Sequence, residues 1–293
     1  MAESARDLFP PGVTNDLIAG SLAGAAQVLI GQPLDTVKTR AQIAPPGMFT
    51  GPMDILTQTV RKEGPFALYK GMMSPLLGIA GVNSLLFAAY AVSKRVVSPY
   101  PQLSIRDTAL AGGLAGAVNA ILASPVEMFK VRMQAQYGQP GDKRLSVVAR
   151  EMWRDWGFRK GVMRGFWVTV AREIPAYAGF YSGFEFAKRS FQQTYGPSLP
   201  ILPLMASGSF GGICYWLACY PLDVVKSRVQ QAPTPPKGVL YIATELKTIV
   251  REQGLAGLAR GLSPSLIRSI PAAAATFTAY ELSREYLKTL TGL

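Results

Sequence analysis

The sequence predicts an all-α membrane protein: six transmembrane helices in three pseudo-symmetric repeats, with short surface helices along one membrane face. Three observations predict it. The chain of 293 residues is 49% hydrophobic and only 16% charged, a surplus of apolar side chains unusual for a soluble protein of this size. One ten-residue pattern occurs three times, from Pro33 to Gln42, from Pro125 to Gln134 and from Pro221 to Gln230, with the prolines 92 and 96 residues apart. Each copy closes an apolar stretch long enough to cross a bilayer.

The repeats run over approximately 14–98, 104–194 and 199–290 of a single domain, and each yields three elements. The odd-numbered spans are approximately Asp16 to Gln42, Arg106 to Gln134 and Ile201 to Gln230. A glycine sits nine residues before each proline (Gly24, Gly116, Gly212), with another four residues earlier (Gly20, Gly112, Gly208). That spacing puts small residues on one helix face, where backbones pack closely. Amphipathic stretches follow, Met53 to Lys62, Ser146 to Trp156 and Ile242 to Gln253, which read as short helices on the membrane surface. The even-numbered spans are Ser74 to Lys94, Phe166 to Lys188 and Ser263 to Arg284; the last two close with Phe184-Glu185-Phe186-Ala187-Lys188 and Tyr280-Glu281-Leu282-Ser283-Arg284.

A formal net charge of +12 is compatible with nucleic acid, an anionic lipid surface or an anionic small molecule. Of the 30 lysines and arginines, 20 fall within 35–72, 127–165 and 223–261, at span ends rather than on one soluble face, so nucleic acid is not an expected partner. The positive-inside preference places those segments on the cytoplasm-like side and both termini opposite. There is no histidine, and Cys214 and Cys219 share one apolar segment, which removes the common general base and the usual metal and disulfide frameworks. No enzyme, metal or cofactor is expected. Met1 to Thr14 has no apolar core and carries Glu3 and Asp7, so it is neither a secretory signal nor a transit peptide by composition.

Within each ten-residue pattern an acid and a lysine stand at i and i+3 near the end of a buried span, an arrangement that is costly unless both are paired. Around a threefold axis each acid reaches the next repeat's lysine, so that Asp35, Lys38, Glu127, Lys130, Asp223 and Lys226 close a ring that acts as a gate. The alternative is three local interfacial pairs; the prolines favour kinks that draw the helix ends together. A matching ring at the other end uses Lys94, Glu185, Lys188, Glu281 and Arg284, weakened in the first repeat because Ala91 holds the acidic position. Arg172 and Arg268 each stand thirteen residues before a glutamate, Glu185 or Glu281, hence roughly 20 Å below the outer ring and near mid-membrane. Snorkelling suits arginines near span ends, not these, and intramembrane charge normally marks a water-filled pathway and its cargo. Glu173 follows Arg172, whereas the first repeat offers Gly78 at this level, with Val82 and Asn83 one turn further on. Trp216, Gln27, Asn119 and Tyr177 are further cavity candidates, against a plain packing role.

The tripled pattern, together with Lys62-Glu63-Gly64-Pro65-Phe66-Ala67-Leu68-Tyr69-Lys70-Gly71 after its first copy, resembles the mitochondrial carrier family over essentially the whole chain. The resemblance implies a six-helix carrier of the mitochondrial inner membrane, working as a monomer by alternating access, with both termini toward the intermembrane space. The two rings then correspond to the family's matrix and cytoplasmic gates, and Gln42, Gln134 and Gln230 to braces of the matrix one. Arg172-Glu173 and Arg268 match the family's substrate contacts on the fourth and sixth helices. Membrane lipid, with cardiolipin as the candidate, is an implied partner. Gly211 to Pro221 and Ala171 to Gly179 look like the ornithine carriers and, more loosely, the carnitine/acylcarnitine carriers. Two departures stand out: ornithine carriers have a glutamate where this chain has Val82, and carnitine carriers a proline where it has Gly81.

The expected function is antiport of small carboxylate-bearing metabolites, anionic or zwitterionic, of the amino acid or carnitine/acylcarnitine type. The arginines bind carboxylate oxygens by charge-assisted hydrogen bonds and Glu173 accepts a cationic group. Because Val82 removes an acid, a di- or tricarboxylate is the alternative cargo, with Glu173 then paired internally to Arg172. A non-transporting membrane scaffold is the third reading.

Overall fold

The computed structural model describes residues 13–291 apart from positions 46, 99, 101, 139, 140, 237 and 239. The expectation for Met1 to Thr14 lies outside these but for its last two residues. The described residues form nine helices and no strand. In chain order they are α1 (Val13–Ile43), α2 (Pro52–Glu63) and α3 (Met73–Val97); α4 (Ile105–Gln134), α5 (Leu145–Gly157) and α6 (Phe166–Tyr195); and α7 (Ile201–Gln231), α8 (Tyr241–Gln253) and α9 (Leu262–Thr291).

All nine expected segments fall on these helices. The even spans of the second and third repeats continue past their expected ends, α6 to Tyr195 and α9 to Thr291, because no glycine or proline interrupts either extension and α6 stops only at Gly196. Periodicity does not reveal the tight turns joining surface helix to even span. Two are 3₁₀ turns, Pro65–Tyr69 and Leu255–Ala259, and the third is a π turn, Phe158–Val162. The flanking glycines, Gly64 and Gly71, Gly157 and Gly165, Gly254 and Gly261, all have positive φ, a conformation that side chains with a Cβ resist. The middle pair stands one residue further apart than the others, and the wider π turn absorbs the extra residue.

The six long helices pack in a closed cycle, α1 on α3, α3 on α4, α4 on α6, α6 on α7, α7 on α9 and α9 back on α1. Small residues permit the close contacts: a Cβ on Gly116 of α4 would stand 2.5 Å from the carbonyl oxygen of Glu173 on α6. By length and composition α4, α7 and the stretch Pro65–Val97 are apolar enough to cross a membrane. The other three, α1, α6 and α9, are as long but carry Asp35 and Lys38, Arg172 and Glu173, and Arg268 in their spans. The bundle is arranged for lipid: Leu110, Ile121, Leu217 and Ile267 are exposed outside, while Gln32, Gln42, Arg172 and Asp223 are buried within.

Candidate functional site

The ends of α1, α4 and α7 beyond Pro33, Pro125 and Pro221 meet, and there each acid holds the lysine of another repeat rather than its own. Asp35 pairs with Lys130 at 2.5 Å, Asp223 with Lys38 at 2.6 Å, and Glu127 with Lys226. Asp223 and Lys226 are almost completely buried, which a charge tolerates only when paired. The three glutamines one turn beyond behave differently. Gln42 donates to Asp223 Oδ2 at 2.8 Å and accepts from Ser227 at 2.7 Å, whereas Gln134 donates to Thr36 at 3.1 Å and the side-chain amide of Gln230 is buried without a hydrogen-bond partner. Only Gln42, then, braces an ion pair directly.

Above this floor lies a cavity of about 1100 Å³, reaching up to Gly20, Lys94, Glu185 and Tyr280. Arg172 and Arg268 both line it, but they reach lower than their helical positions predict. Arg268 Nε lies 2.7 Å from Asp35 Oδ1, while Arg172 donates through Nε to Asp223 Oδ1 at 3.2 Å and places Nη1 3.9 Å from Glu127. The extended arginine side chains span the gap that counting Cα positions leaves open. Arg268 passes α1 at Gly31, where a Cβ would stand 2.5 Å from its Nε. Arg172 lies over Tyr215 at 4.9 Å and Trp216 at 5.5 Å, and Lys38 over Trp216 at 4.4 Å, so one indole faces both a ring lysine and a cavity arginine.

Two expected cavity residues are placed elsewhere. Glu173 is buried in an ion pair with Arg172 and is not part of the cavity wall, since adjacent helical residues point roughly 100° apart. Val82 also lies off the wall, which its neighbour Asn83 joins. Gln27, Tyr177 and Trp216 line the cavity; Asn119 is fully buried and donates to the Tyr177 hydroxyl at 3.5 Å. The charged wall residues are six cations, Lys38, Lys94, Lys130, Arg172, Lys226 and Arg268, against three carboxylates, Asp35, Glu127 and Glu185. Aromatic side chains cover much of the rest, with Tyr90 of α3 stacked on Tyr181 of α6 at 3.8 Å between ring centres.

At the mouth, Glu185 pairs within its own helix, with Arg189 at 2.8 Å and Lys188 at 4.0 Å. Among the described residues Lys94, Glu185 and Lys188 make no ion pair with another repeat. Glu281 and Arg284 occupy the equivalent stretch of α9.

A tripled two-span unit, a cyclic set of ion pairs at the floor and a cationic central cavity characterise this site, and the family description "Mitochondrial carrier protein" matches the chain three times, at residues 10–100, 101–195 and 197–290. The chain belongs to the mitochondrial carrier family. It is 36% identical over 289 residues to mitochondrial ornithine transporter 1 of Rattus norvegicus, covering 93% of this chain and 94% of that one. It is 31% identical over 300 residues to the mitochondrial carnitine/acylcarnitine carrier protein of Mus musculus, covering 98% of each. With mitochondrial substrate carrier family protein S of Dictyostelium discoideum the identity is 36% over 276 residues, 91% of this chain and 95% of the relative. This carrier is thus a mitochondrial metabolite transporter and not an enzyme, and the family's proteins reside in the inner membrane.

One further cluster of the carrier escaped sequence reasoning. Arg40, two residues past Lys38, chelates Glu63 at 2.5 and 3.0 Å and also donates to the carbonyls of Gln134 and Gln136; Lys70 reaches the same glutamate at 2.7 Å. Burial pushes the Glu63 carboxyl up, but the hydrogen bonds from Arg40 and Lys70 outweigh it and hold the group below the usual carboxylate range. The adjacent Glu63-Gly64 and Lys70-Gly71 pairs were the available signal, since each charged residue precedes a turn glycine with positive φ.

Proposed function

We propose that this carrier exchanges small carboxylate-bearing metabolites by alternating access, with Arg172 and Arg268 as the carboxylate contacts and the three inter-repeat ion pairs as the matrix gate. One observation carries the reading: each arginine faces the cavity while also in ion-pair contact with an acid of the ring. A cargo carboxylate offers a guanidinium the same charge-assisted partner that Asp35 or Asp223 offers. Cargo that takes over the arginines withdraws two cations from the ring acids, and the gate loses part of what holds it shut. Closure of the mouth by Lys94, Glu185, Lys188, Glu281 and Arg284 completes the cycle. A single cavity enclosed by six helices of one chain supports action as a monomer. The basic surface segments support a matrix-facing floor, both termini toward the intermembrane space, and anionic lipid such as cardiolipin around that face.

For the cargo, the relatives named for ornithine and for carnitine/acylcarnitine favour a zwitterion of amino acid or carnitine type. The aromatic wall suits an onium group or an acyl chain. A specific observation favours the alternative of a di- or tricarboxylate: Glu173 is withdrawn into a pair with Arg172, leaving the wall with a cationic excess.

The test is exchange by purified protein in liposomes preloaded with candidate carboxylates. Uptake is expected with at least one class, and is lost in Arg268→Ala; a carrier that exchanges none of them would be a scaffold. Loss of zwitterion exchange alone in Glu173→Gln selects the first cargo class, and unchanged exchange of di- or tricarboxylates selects the second.

A further inference from the structure

The matrix-side surface carries the same three-residue unit in each repeat: the basic residue seven after the pattern's proline, the residue before the first turn glycine, and the basic residue before the second. In the first repeat these are Arg40, Glu63 and Lys70, two cations sharing one carboxylate. In the third they are Arg228, Gln253 and Arg260, where Arg260 donates to Gln253 at 3.1 Å and Arg228 finds Glu252 at 3.4 Å. In the second they are Arg132, Trp156 and Arg164, and among the described residues neither arginine meets a carboxylate.

Instead the two guanidinium groups converge on one neutral oxygen. Arg132 Nη2 and Arg164 Nη1 both donate to the Ala232 carbonyl, each at 2.6 Å, and Arg164 Nη1 reaches the Pro233 carbonyl at 3.3 Å. Arg164 is 2% exposed and lies over the Trp156 ring at 5.4 Å. Its Nη2 and the Nε of Arg132 are buried with no partner. Two adjacent cations drawn into the protein without a counter-charge are strongly unfavourable, and a carbonyl compensates them far less well than an anion.

We propose that Arg132 and Arg164 form a binding site for a phosphate-type oxyanion at the junction of the second and third repeats, outside the cargo cavity. The Ala232 oxygen marks where one oxygen of the anion sits, because both guanidinium groups already aim at that point. The unpartnered Nε and Nη2 supply further donors for its other oxygens. Entry is from the surface, by displacement of the Ala232–Pro233 turn, where Pro233 is exposed. The anion replaces, in the second repeat, the charge that Glu63 supplies in the first. A free phosphate and a lipid phosphate share this chemistry.

The test measures thermal unfolding of the full chain in phosphatidylcholine nanodiscs at constant ionic strength, with inorganic phosphate in one arm and phosphatidic acid in the disc in the other. A rise in Tm of a few degrees is expected. Seen with inorganic phosphate it identifies a free anion; seen only with phosphatidic acid it identifies a lipid headgroup. The rise is lost in Arg164→Gln and Arg132→Gln, and in Trp156→Glu, which restores the carboxylate and lifts the anion-free Tm; it is retained in Arg268→Gln, which alters the cargo cavity. Should the arginine variants fail to fold, Trp156→Glu decides. Absence of a rise in both arms overturns the site, as does a rise that survives Trp156→Glu or that only Arg268→Gln removes.

Discussion

At the floor of the cavity each ring acid holds a lysine from another repeat, whereas at the mouth Glu185 turns to Arg189 of its own helix and Lys94 lies over Tyr90 at 5.1 Å. In the second and third repeats both ends present acids and bases at matching positions, so there the difference lies in where the helix ends stand; in the first repeat Ala91 also leaves the mouth without its acid. Prolines within α1, α4 and α7 bring the floor ends together, and three further contacts fasten them: Arg268 on Asp35, Arg172 on Asp223, and Gln42 beneath the Lys38–Asp223 pair. At the mouth, α3 and α6 meet through the stacked rings of Tyr90 and Tyr181. A ring of charges closes only when rigid-body placement assembles it, which is the property the proposed alternating access needs.

The sharpest way to break this comparison is to neutralise one acid at each end. Asp223→Asn leaves Lys38 and Arg172 buried without their shared carboxylate, an effect of about 3–5 kcal/mol. Glu185→Gln removes a half-exposed pair within one helix, about 0.5 kcal/mol. Cargo-free protein in nanodiscs should therefore show a large fall in Tm for the first and almost none for the second. Equal falls would mean that the two ends are fastened alike.

The glutamate beside the floor, Glu63, gives the next largest effect. The Glu63 side chain is 6% exposed and its pKa is held below the ordinary value of 4.5 by Arg40 and Lys70. A depressed folded-state pKa means that its stabilisation is complete above the unfolded value and is lost as the pH falls through the folded one. Glu63→Gln should lower Tm at neutral pH by the equivalent of about 2–3 kcal/mol, with the difference from wild type shrinking as the medium is taken below pH about 4. A gap that stays constant on acidification would remove Glu63 from the fastening of the floor.

Much of this fastening was legible in the sequence and some was not, for physical reasons. Helix positions followed from the tripled pattern, and the partners Asp35–Lys130, Glu127–Lys226 and Asp223–Lys38 follow from placing three copies about one axis. Arg172 and Arg268 stand out in the sequence as intramembrane charges, but their contact with ring acids depends on side-chain extension, which residue counting does not contain. Adjacency in sequence puts Glu173 at the same level as Arg172, yet neighbours on a helix face different directions, and only the arginine reaches the cavity. At the mouth, Glu185 turns to Arg189 at i+4 of its own helix rather than to a base of another repeat as the expected ring requires, a choice of rotamer rather than of pattern.

Gly31 offers a way to separate the proposed cargo contact of Arg268 from its contact with the ring. A Cβ there would meet the Nε of Arg268 at 2.5 Å, and because the obstacle is a flexible side chain the arginine yields rather than the fold. Gly31→Ala should move Arg268 off Asp35, lower Tm only slightly, and weaken cargo half-saturation by about tenfold, the size of one misplaced charge-assisted bond. Unchanged half-saturation would show that Arg268 serves the cargo without passing α1.

The mouth offers the smallest effect and the closest test of its aromatic character. Tyr90 and Tyr181 stack across the gap between α3 and α6 at 3.8 Å with their planes 7° apart, an arrangement worth about 1 kcal/mol beyond area burial. Tyr90→Phe keeps the ring, whereas Tyr90→Leu keeps apolar bulk without it. If stacking holds α3 and α6 together while the charges stand apart, the phenylalanine variant retains wild-type Tm and exchange rate. The leucine variant then loses about two degrees. Its cargo-free mouth is also looser, by a few-fold in the reaction of a Gln27→Cys thiol on the cavity wall with a membrane-impermeant reagent, read against the same thiol in the Tyr90→Phe background. Identical behaviour of leucine and phenylalanine would reduce the contact to packing and remove ring stacking from what holds α3 to α6.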